Sequence, residues 1–92
     1  MTVKFVILFN SEKGRDEYIK TWNMLGKNIY SDGSKEIRLY VNVNSFSDGC
    51  FLINKYIGTL EKSNYFLDIC KVQSFIIDVG GNENPILTFV SE

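Results

Sequence analysis

The first strongly patterned segment of this 92-residue chain is nearly continuous in apolar residues. Residues 3–9 divide between two pleat faces, with Val3, Phe5, Ile7 and Phe9 on one face and Val6 and Leu8 on the other. A strand with apolar residues on both faces is typical of the interior of a sheet. The pattern therefore predicts a strand over residues 3–9 with a neighbour on each side.

An amphipathic helix is predicted directly after this strand. Asn10 and Ser11 are N-cap residues, and apolar residues recur at helical spacing from Glu12 to Leu25. Gly26 stands where a glycine commonly ends a helix. The predicted buried stripe consists of Tyr18, Ile19, Trp22 and Leu25.

The region after this helix contains a segment in which apolar and polar residues alternate strictly. A short run, Lys27–Tyr30, is followed by turn residues at 31–34 and then by the alternating segment Glu36–Asn44. Its apolar side holds Ile37, Leu39, Val41 and Val43, and its other side holds Arg38, Tyr40, Asn42 and Asn44. These features predict a hairpin with one short arm.

A second helix is predicted from the sequence Ser47-Asp48-Gly49 to the region of Ser63–Asn64. The segment that follows, residues 65–72, fits a strand or a short helix equally well. A strand is predicted for residues 75–79, and the dense turn signal at Gly80–Pro85 leads to a last strand at Ile86–Val90. The chain is thus expected to end in a hairpin.

The order of these elements predicts the fold class. Strand, helix, strand, strand, helix and strand, with one added strand, is the order of an α+β, ferredoxin-like (split βαβ) sandwich. We expect a single domain over residues 1–92, with two helices on one face of an antiparallel sheet of four to five strands. This architecture is shared by proteins with many unrelated activities, so function has to be argued from sites.

Composition excludes much familiar chemistry. The chain has no His, which removes the most common general base and metal ligand, and its two Cys are too few for a disulfide framework or a zinc site. A formal net charge of -1 indicates neither a nucleic-acid-binding surface nor an acidic one. We expect no cofactor, no metal and no catalysis, and the Cys usage favours a reducing compartment, the cytoplasm.

No membrane segment is expected either. The apolar stretch at residues 1–9 has no basic segment before it and is well short of the roughly 20 residues that span a bilayer.

Cys50 is the sharpest candidate for nucleophilic chemistry. It follows Asp48-Gly49 at the predicted N-terminus of the second helix, where free amides and the helix dipole stabilise a thiolate. No His is present to serve as its base, so a packing role is favoured. The carboxylate pairs Asp16 with Glu17 and Asp68 with Asp78 match no catalytic or metal-binding motif. Gly80-Gly81 lacks the spacing of a phosphate loop and is interpreted as a turn.

The remaining feature is the apolar second face of the first strand. If both helices cover one sheet face, Val6 and Leu8 lie on the other, beside the polar side of the alternating strand. The predicted interaction surface consists of Arg38, Tyr40, Asn42, Val6 and Leu8. One hypothesis is that the chain's own terminal hairpin or loops cover this face. Large exposed apolar patches usually mark interfaces, so the favoured hypothesis is contact with a protein partner or with a second copy in a homodimer.

This leads to a non-catalytic interaction protein as the expected function. The alternative is a module that binds single-stranded RNA or DNA on the open sheet face, with Arg38 and Tyr40 as the platform. A small-molecule sensor is the third hypothesis. The chain has no Ala and is rich in Ile, Asn and Lys, as AT-rich genomes encode. In general character it resembles the accessory and inhibitor proteins of phages and mobile elements.

Overall fold

A computed structural model describes residues 1–24, 29 and 34–90, with side chains for all of these except residues 22–24. The elements are β1 (Thr2–Phe9), α1 (Glu12–Met24), β2 (Glu36–Asn42), α2 (Phe46–Glu61), β3 (Ile69–Ile77) and β4 (Glu83–Val90). A short 3-10 helix, Asn64–Asp68, lies between α2 and β3. Over the described residues the protein is therefore a small α+β fold with a four-stranded antiparallel sheet and two α-helices.

The sheet has the strand order β2-β1-β3-β4, and each neighbouring pair is antiparallel. β1 is an interior strand, as its apolar pattern predicts. Since β2 and β3 both run antiparallel to β1, they are parallel to each other, and α2 connects them with β1 between. This connection is a split βαβ unit.

Both helices pack on the same face of the sheet. Burial alternates along β1, and Val3, Phe5, Ile7 and Phe9 are all almost fully buried. The ring of Tyr18 in α1 lies 5.5 Å from that of Phe9, and the ring of Tyr56 in α2 lies 4.4 Å from that of Phe5. The other face of β1 is thereby left free of helices.

The predicted start of the second helix is wrong by a few residues. α2 begins at Phe46, because Ser45 is the N-cap: its backbone is extended, with φ -150° and ψ 166°, and its Oγ accepts a hydrogen bond from the N–H of Asp48 at 3.1 Å. The sequence Ser47-Asp48-Gly49, which also has capping residue types, is already helical. Cys50 consequently lies in the second turn and not at the N-terminus.

The structure resolves the ambiguous segment and corrects the last hairpin. Residues 65–72 contain both predicted alternatives in turn, since the 3-10 helix ends at Asp68 and β3 begins at Ile69. The strand predicted for residues 75–79 ends at Ile77, and β4 begins at Glu83, so Pro85 belongs to a strand and not to the turn. Proline is tolerated there because β4 is at the edge of the sheet.

Some predicted features lie outside the described residues. These are most of the short hairpin arm at 27–30, the turn at 31–33, the helix end at Leu25-Gly26 and the side chain of Trp22. Ile29 is described, and it is buried in the core.

The β3–β4 hairpin is organised by one carboxylate. Asp78 Oδ1 accepts hydrogen bonds from the N–H groups of Gly80 at 2.9 Å and Asn82 at 3.0 Å. Gly81 completes the turn with a φ of 83°, which favours glycine. The hydrogen bonds to Asp78, led by the one from Asn82, hold the pKa of its carboxyl below the usual value.

The depressed pKa of Asp78 predicts a pH dependence of stability. The folded state favours the ionised carboxylate, so its contribution is present above the pKa of the unfolded chain, about 3.9, and is lost as the pH falls through the lower folded pKa. Replacing Asp78 with Asn should remove this part of the acid sensitivity. Chemical denaturation of both proteins between pH 2 and pH 6, values chosen to bracket this pKa, measures the difference. Identical pH profiles would contradict the role of Asp78.

Two glycines of α2 predict opposite effects of the same substitution. A Cβ on Gly49 would lie 2.8 Å from Ile76 Cδ1, whereas one on Gly58 would meet no atom within 4 Å. Gly58→Ala should raise the free energy of unfolding by about 0.5–1 kcal/mol through helix propensity. Gly49→Ala should lower it by about 1 kcal/mol, because overpacking costs about 1–3 kcal/mol and outweighs that gain. Urea denaturation measures the free energy of unfolding of both variants. Equal stabilisation by both would contradict the close contact between Gly49 of α2 and Ile76 of β3.

Candidate interaction surface

The predicted surface residues meet on the helix-free face of the sheet. In the register of β1 with β2, Arg38 lies opposite Val6 and Tyr40 lies opposite Lys4. Leu8 and Asn42 complete the set, with Asn42 Oδ1 accepting a hydrogen bond from Thr2 Oγ1 at 3.2 Å. The structure therefore brings together all five residues that the alternation placed on this face.

The other two strands double the size of this face. We call the whole set of side chains on this side of the four strands the open face. β3 adds Lys71, Gln73, Phe75 and Ile77, and β4 adds Glu83, Pro85, Thr88 and Val90. The last strand thus extends the face sideways and does not cover it.

Lys4 connects three strands across the open face. Its Nζ is 2.7 Å from Glu83 Oε1 on β4 and 5.0 Å from the centre of the Phe75 ring on β3. The ammonium group thus lies over an aromatic ring and is also paired with a carboxylate. Both the cation–π interaction and the ion pair stabilise its positive charge. These three residues were not predicted from the sequence, although the alternation of β1 already places Lys4 on the same face as Val6.

The remaining charges of the open face are also mostly paired. Arg38 Nε lies 3.0 Å from Glu36 Oε1 on the same strand. Lys71, between Leu8 and Val90 in the register, has no carboxylate partner in the residues that the structure describes. Among the described residues the face is consequently close to neutral, and Lys71 is its one cation without a carboxylate partner.

The open face differs from the continuous apolar patch suggested by β1 alone. Lys4 interrupts the apolar positions, and Val6 and Leu8 are half-buried by their neighbours. Tyr40 lies on β2 at one side of the described sheet and is 59% exposed. The surface is a mixture of apolar and polar side chains, which is typical of non-obligate protein interfaces.

A cluster of tyrosines between the helices was not predicted. The hydroxyl groups of Tyr18 and Tyr56 are hydrogen-bonded, and the ring of Tyr65 lies 5.3 Å from that of Tyr18. Burial, followed by the interaction with Tyr18, raises the pKa of Tyr56. The three tyrosines join α1, α2 and the 3-10 helix. Their rings pack together and their hydroxyl groups have hydrogen-bond partners, so their role is structural.

The carboxylate pairs considered from the sequence have separate structural surroundings. Asp16 forms an ion pair with the buried Arg15, whose Nη2 lies 2.7 Å from Asp16 Oδ1. Asp68 precedes β3 and Asp78 follows it, so a strand of about 30 Å separates them. In the described ranges, no group of three or more Cys, Asp and Glu side chains is placed to hold a metal ion.

Neither helix is long and apolar enough to cross a bilayer, as far as the described part of the chain extends.

Comparison of the chain with protein-family models, with curated proteins and with solved structures finds no match. The properties of the surface must therefore be argued from its own residues.

The position of Cys50 predicts that its thiol has a packing role. Cys50 is half-buried, packs against the core and is not part of a disulfide. We expect slow labelling of Cys50 by a thiol reagent at neutral pH, and we expect Cys50→Ser to retain partner binding. Mass spectrometry after timed labelling, with Cys70→Ser as the matched variant, measures this. Rapid labelling of the folded chain together with loss of function in Cys50→Ser would contradict a packing role.

Proposed function

We propose that this chain is a non-catalytic interaction protein that binds a protein partner through the open face. The observation that carries the proposal is the internal pairing of charge on this face, Lys4 with Glu83 and Arg38 with Glu36. A surface that neutralises its own cations attracts a phosphate backbone weakly, since nucleic-acid binding depends on free Lys and Arg. Apolar side chains between such pairs favour a protein surface.

The open face also suggests the chemistry of the partner. Leu8 and Val90 flank Lys71, so a complementary surface would present apolar side chains beside one carboxylate. Four strands at about 4.8 Å and seven residues at about 3.3 Å give a projected area of roughly 440 Å². A standard interface buries about 800 Å² per partner, so this face alone supports a transient contact.

We also propose a fold assignment that is finer than the α+β class. The assignment is a ferredoxin-like sandwich with β4 added at the edge of the sheet beside β3. The split βαβ unit through α2 supports this assignment.

The setting of this activity is also a proposal. Two free thiols agree with a reducing compartment such as the cytoplasm. The accessory or inhibitor role in a phage or mobile element belongs to the same proposal, and the composition, which is of the kind that AT-rich genomes encode, agrees with such an origin.

Single-stranded nucleic acid remains the second candidate because Tyr40 is well exposed next to Arg38 on the same strand face. An exposed aromatic beside a cation is the usual platform for stacking a base.

A variant pair at two exposed aromatic residues tests the function. Tyr40→Glu places a charge on the open face, and Phe51→Glu places the same charge on α2, where Phe51 is 70% exposed. After cross-linking in the native host, a protein bound through the open face should be recovered with the wild-type chain and with Phe51→Glu. Its recovery should fall at least tenfold with Tyr40→Glu, which corresponds to about 1.4 kcal/mol.

Two results would contradict the proposal. One is that no recovered protein depends on Tyr40. The other is retention on a single-stranded DNA column that falls with salt and with Tyr40→Ala, which would establish the nucleic-acid alternative.

A further inference from the structure

The outer backbone edge of β4 is a second surface, at the border of the open face. β4 is the last strand in the sheet order, and its outer edge has no partner within the residues described. Two apolar side chains near its end are exposed on opposite sides of the strand, Leu87 at 39% and Val90 at 57%. An edge strand with free backbone groups and exposed apolar side chains is a template for another strand.

Hydrogen bonds in the hairpin show which backbone groups of β4 are free. The N–H of Asp78 donates to the carbonyl of Asn82 at 3.1 Å, so these residues form a hydrogen-bonded pair. Hydrogen-bonded and non-hydrogen-bonded pairs alternate along an antiparallel ladder. Even-numbered residues of β3 therefore direct their backbone groups toward β4. The other side of the sheet agrees. Phe9 donates its N–H toward β2, to the Lys35 carbonyl at 2.8 Å, so the odd-numbered residues of β1 face β2 and the even-numbered ones face β3. The even-numbered residues of β1 lie opposite odd-numbered residues of β3, which leaves the even-numbered residues of β3 to face β4.

The same alternation fixes the outward positions of β4. Leu87 and Phe89 pair with even-numbered residues of β3, so their backbone groups point inward. The backbone groups of Thr88 and Val90 point outward. Pro85 also faces outward, and it has no N–H to donate, so the edge is closed near the start of the strand and open near its end.

The open half of the edge is complementary to itself. If a second copy pairs antiparallel about an axis through Thr88, the two Thr88 residues lie opposite each other, and their N–H and carbonyl groups exchange two hydrogen bonds. Leu87 then lies opposite Phe89 of the second copy, and both belong to the helix side of the sheet, where they pair with Ser74 and Val72 of β3. Threonine pairs and apolar cross-strand pairs are both favourable in antiparallel sheets.

Charge also permits this pairing. No ionisable side chain occurs from Asn84 to Val90, so two copies meet without like charges along the described strand. The nearest charged residue on β4, Glu83, is already paired with Lys4. We propose that β4 binds β4 of a second copy of this chain, with the two-fold axis at Thr88, so that two sheets join into one. The proposal does not depend on the proposed function, because the open face remains uncovered.

Sedimentation over a range of concentrations tests the dimer directly. The wild-type chain should shift from 10.6 kDa toward twice that mass as its concentration rises. Thr88→Lys should remain a monomer, because two like charges would lie directly opposite each other. Thr59→Lys, which makes the same change on an exposed position of α2, should dimerise like the wild type.

A charge-swap experiment tests the register. A mixture of the Thr88→Lys and Thr88→Glu chains should form a dimer again, although each chain alone is monomeric. A wild-type chain that is monomeric at every concentration, or a Thr88→Lys chain that still dimerises, would overturn the proposal. A mixture that fails to associate would overturn the Thr88 register. A dimer disrupted by Tyr40→Glu and not by Thr88→Lys would assign self-association to the open face.

Amide hydrogen exchange of the wild-type chain tests the proposal without any variant. Protection of the Thr88 N–H should increase with protein concentration, because this group is free in the monomer and bonded in the dimer. The N–H of Phe89 faces β3 and should be protected throughout, which provides an internal control. Exchange at Thr88 that does not depend on concentration would overturn the proposal.

Discussion

Val3, Phe5, Ile7 and Phe9 form the surface on which the rest of the molecule packs. Their side chains are almost fully buried on the one face of β1 that both helices cover. Each such side chain contributes about 1.5–3 kcal/mol through burial, and a whole domain is stable by only about 5–15 kcal/mol. Because β1 has a hydrogen-bonded neighbour on each side, this row also determines which face of β2 and β3 turns inward.

That constraint explains what could be predicted from the sequence. In a strand the side chains alternate strictly, so once one face of β1 was buried, Val6, Leu8, Arg38 and Tyr40 had to share the other. Helix starts are less certain because several nearby residues have capping side chains; both Ser45 and Ser47 qualify, and only the extended backbone of Ser45 decides between them. The contact of Lys4 with Glu83 was beyond prediction, since it depends on a register between strands distant in sequence.

The balance of charge on the open face follows from the same register. Lys4 would be an isolated cation between apolar neighbours if β4 did not bring Glu83 within 2.7 Å of it. The added strand thus widens the face and neutralises Lys4, and within the described residues it leaves Lys71 without a carboxylate partner. Had the sheet ended at β3, two free cations and an exposed Phe75 would have resembled a nucleic-acid platform more closely.

The two halves of β4 have different consequences for assembly. Near Glu83 and Pro85, the ion pair, the missing N–H and the register shift beside Phe75 all oppose further strand pairing. Near Thr88 no such feature is present in the described chain, so the edge can bind a strand only there. A two-fold axis at Thr88 is perpendicular to the joined sheet, so both open faces lie on the same side. Two small faces on one rigid sheet can bind a partner with two sites more tightly than either face alone, which offsets the limited area of each.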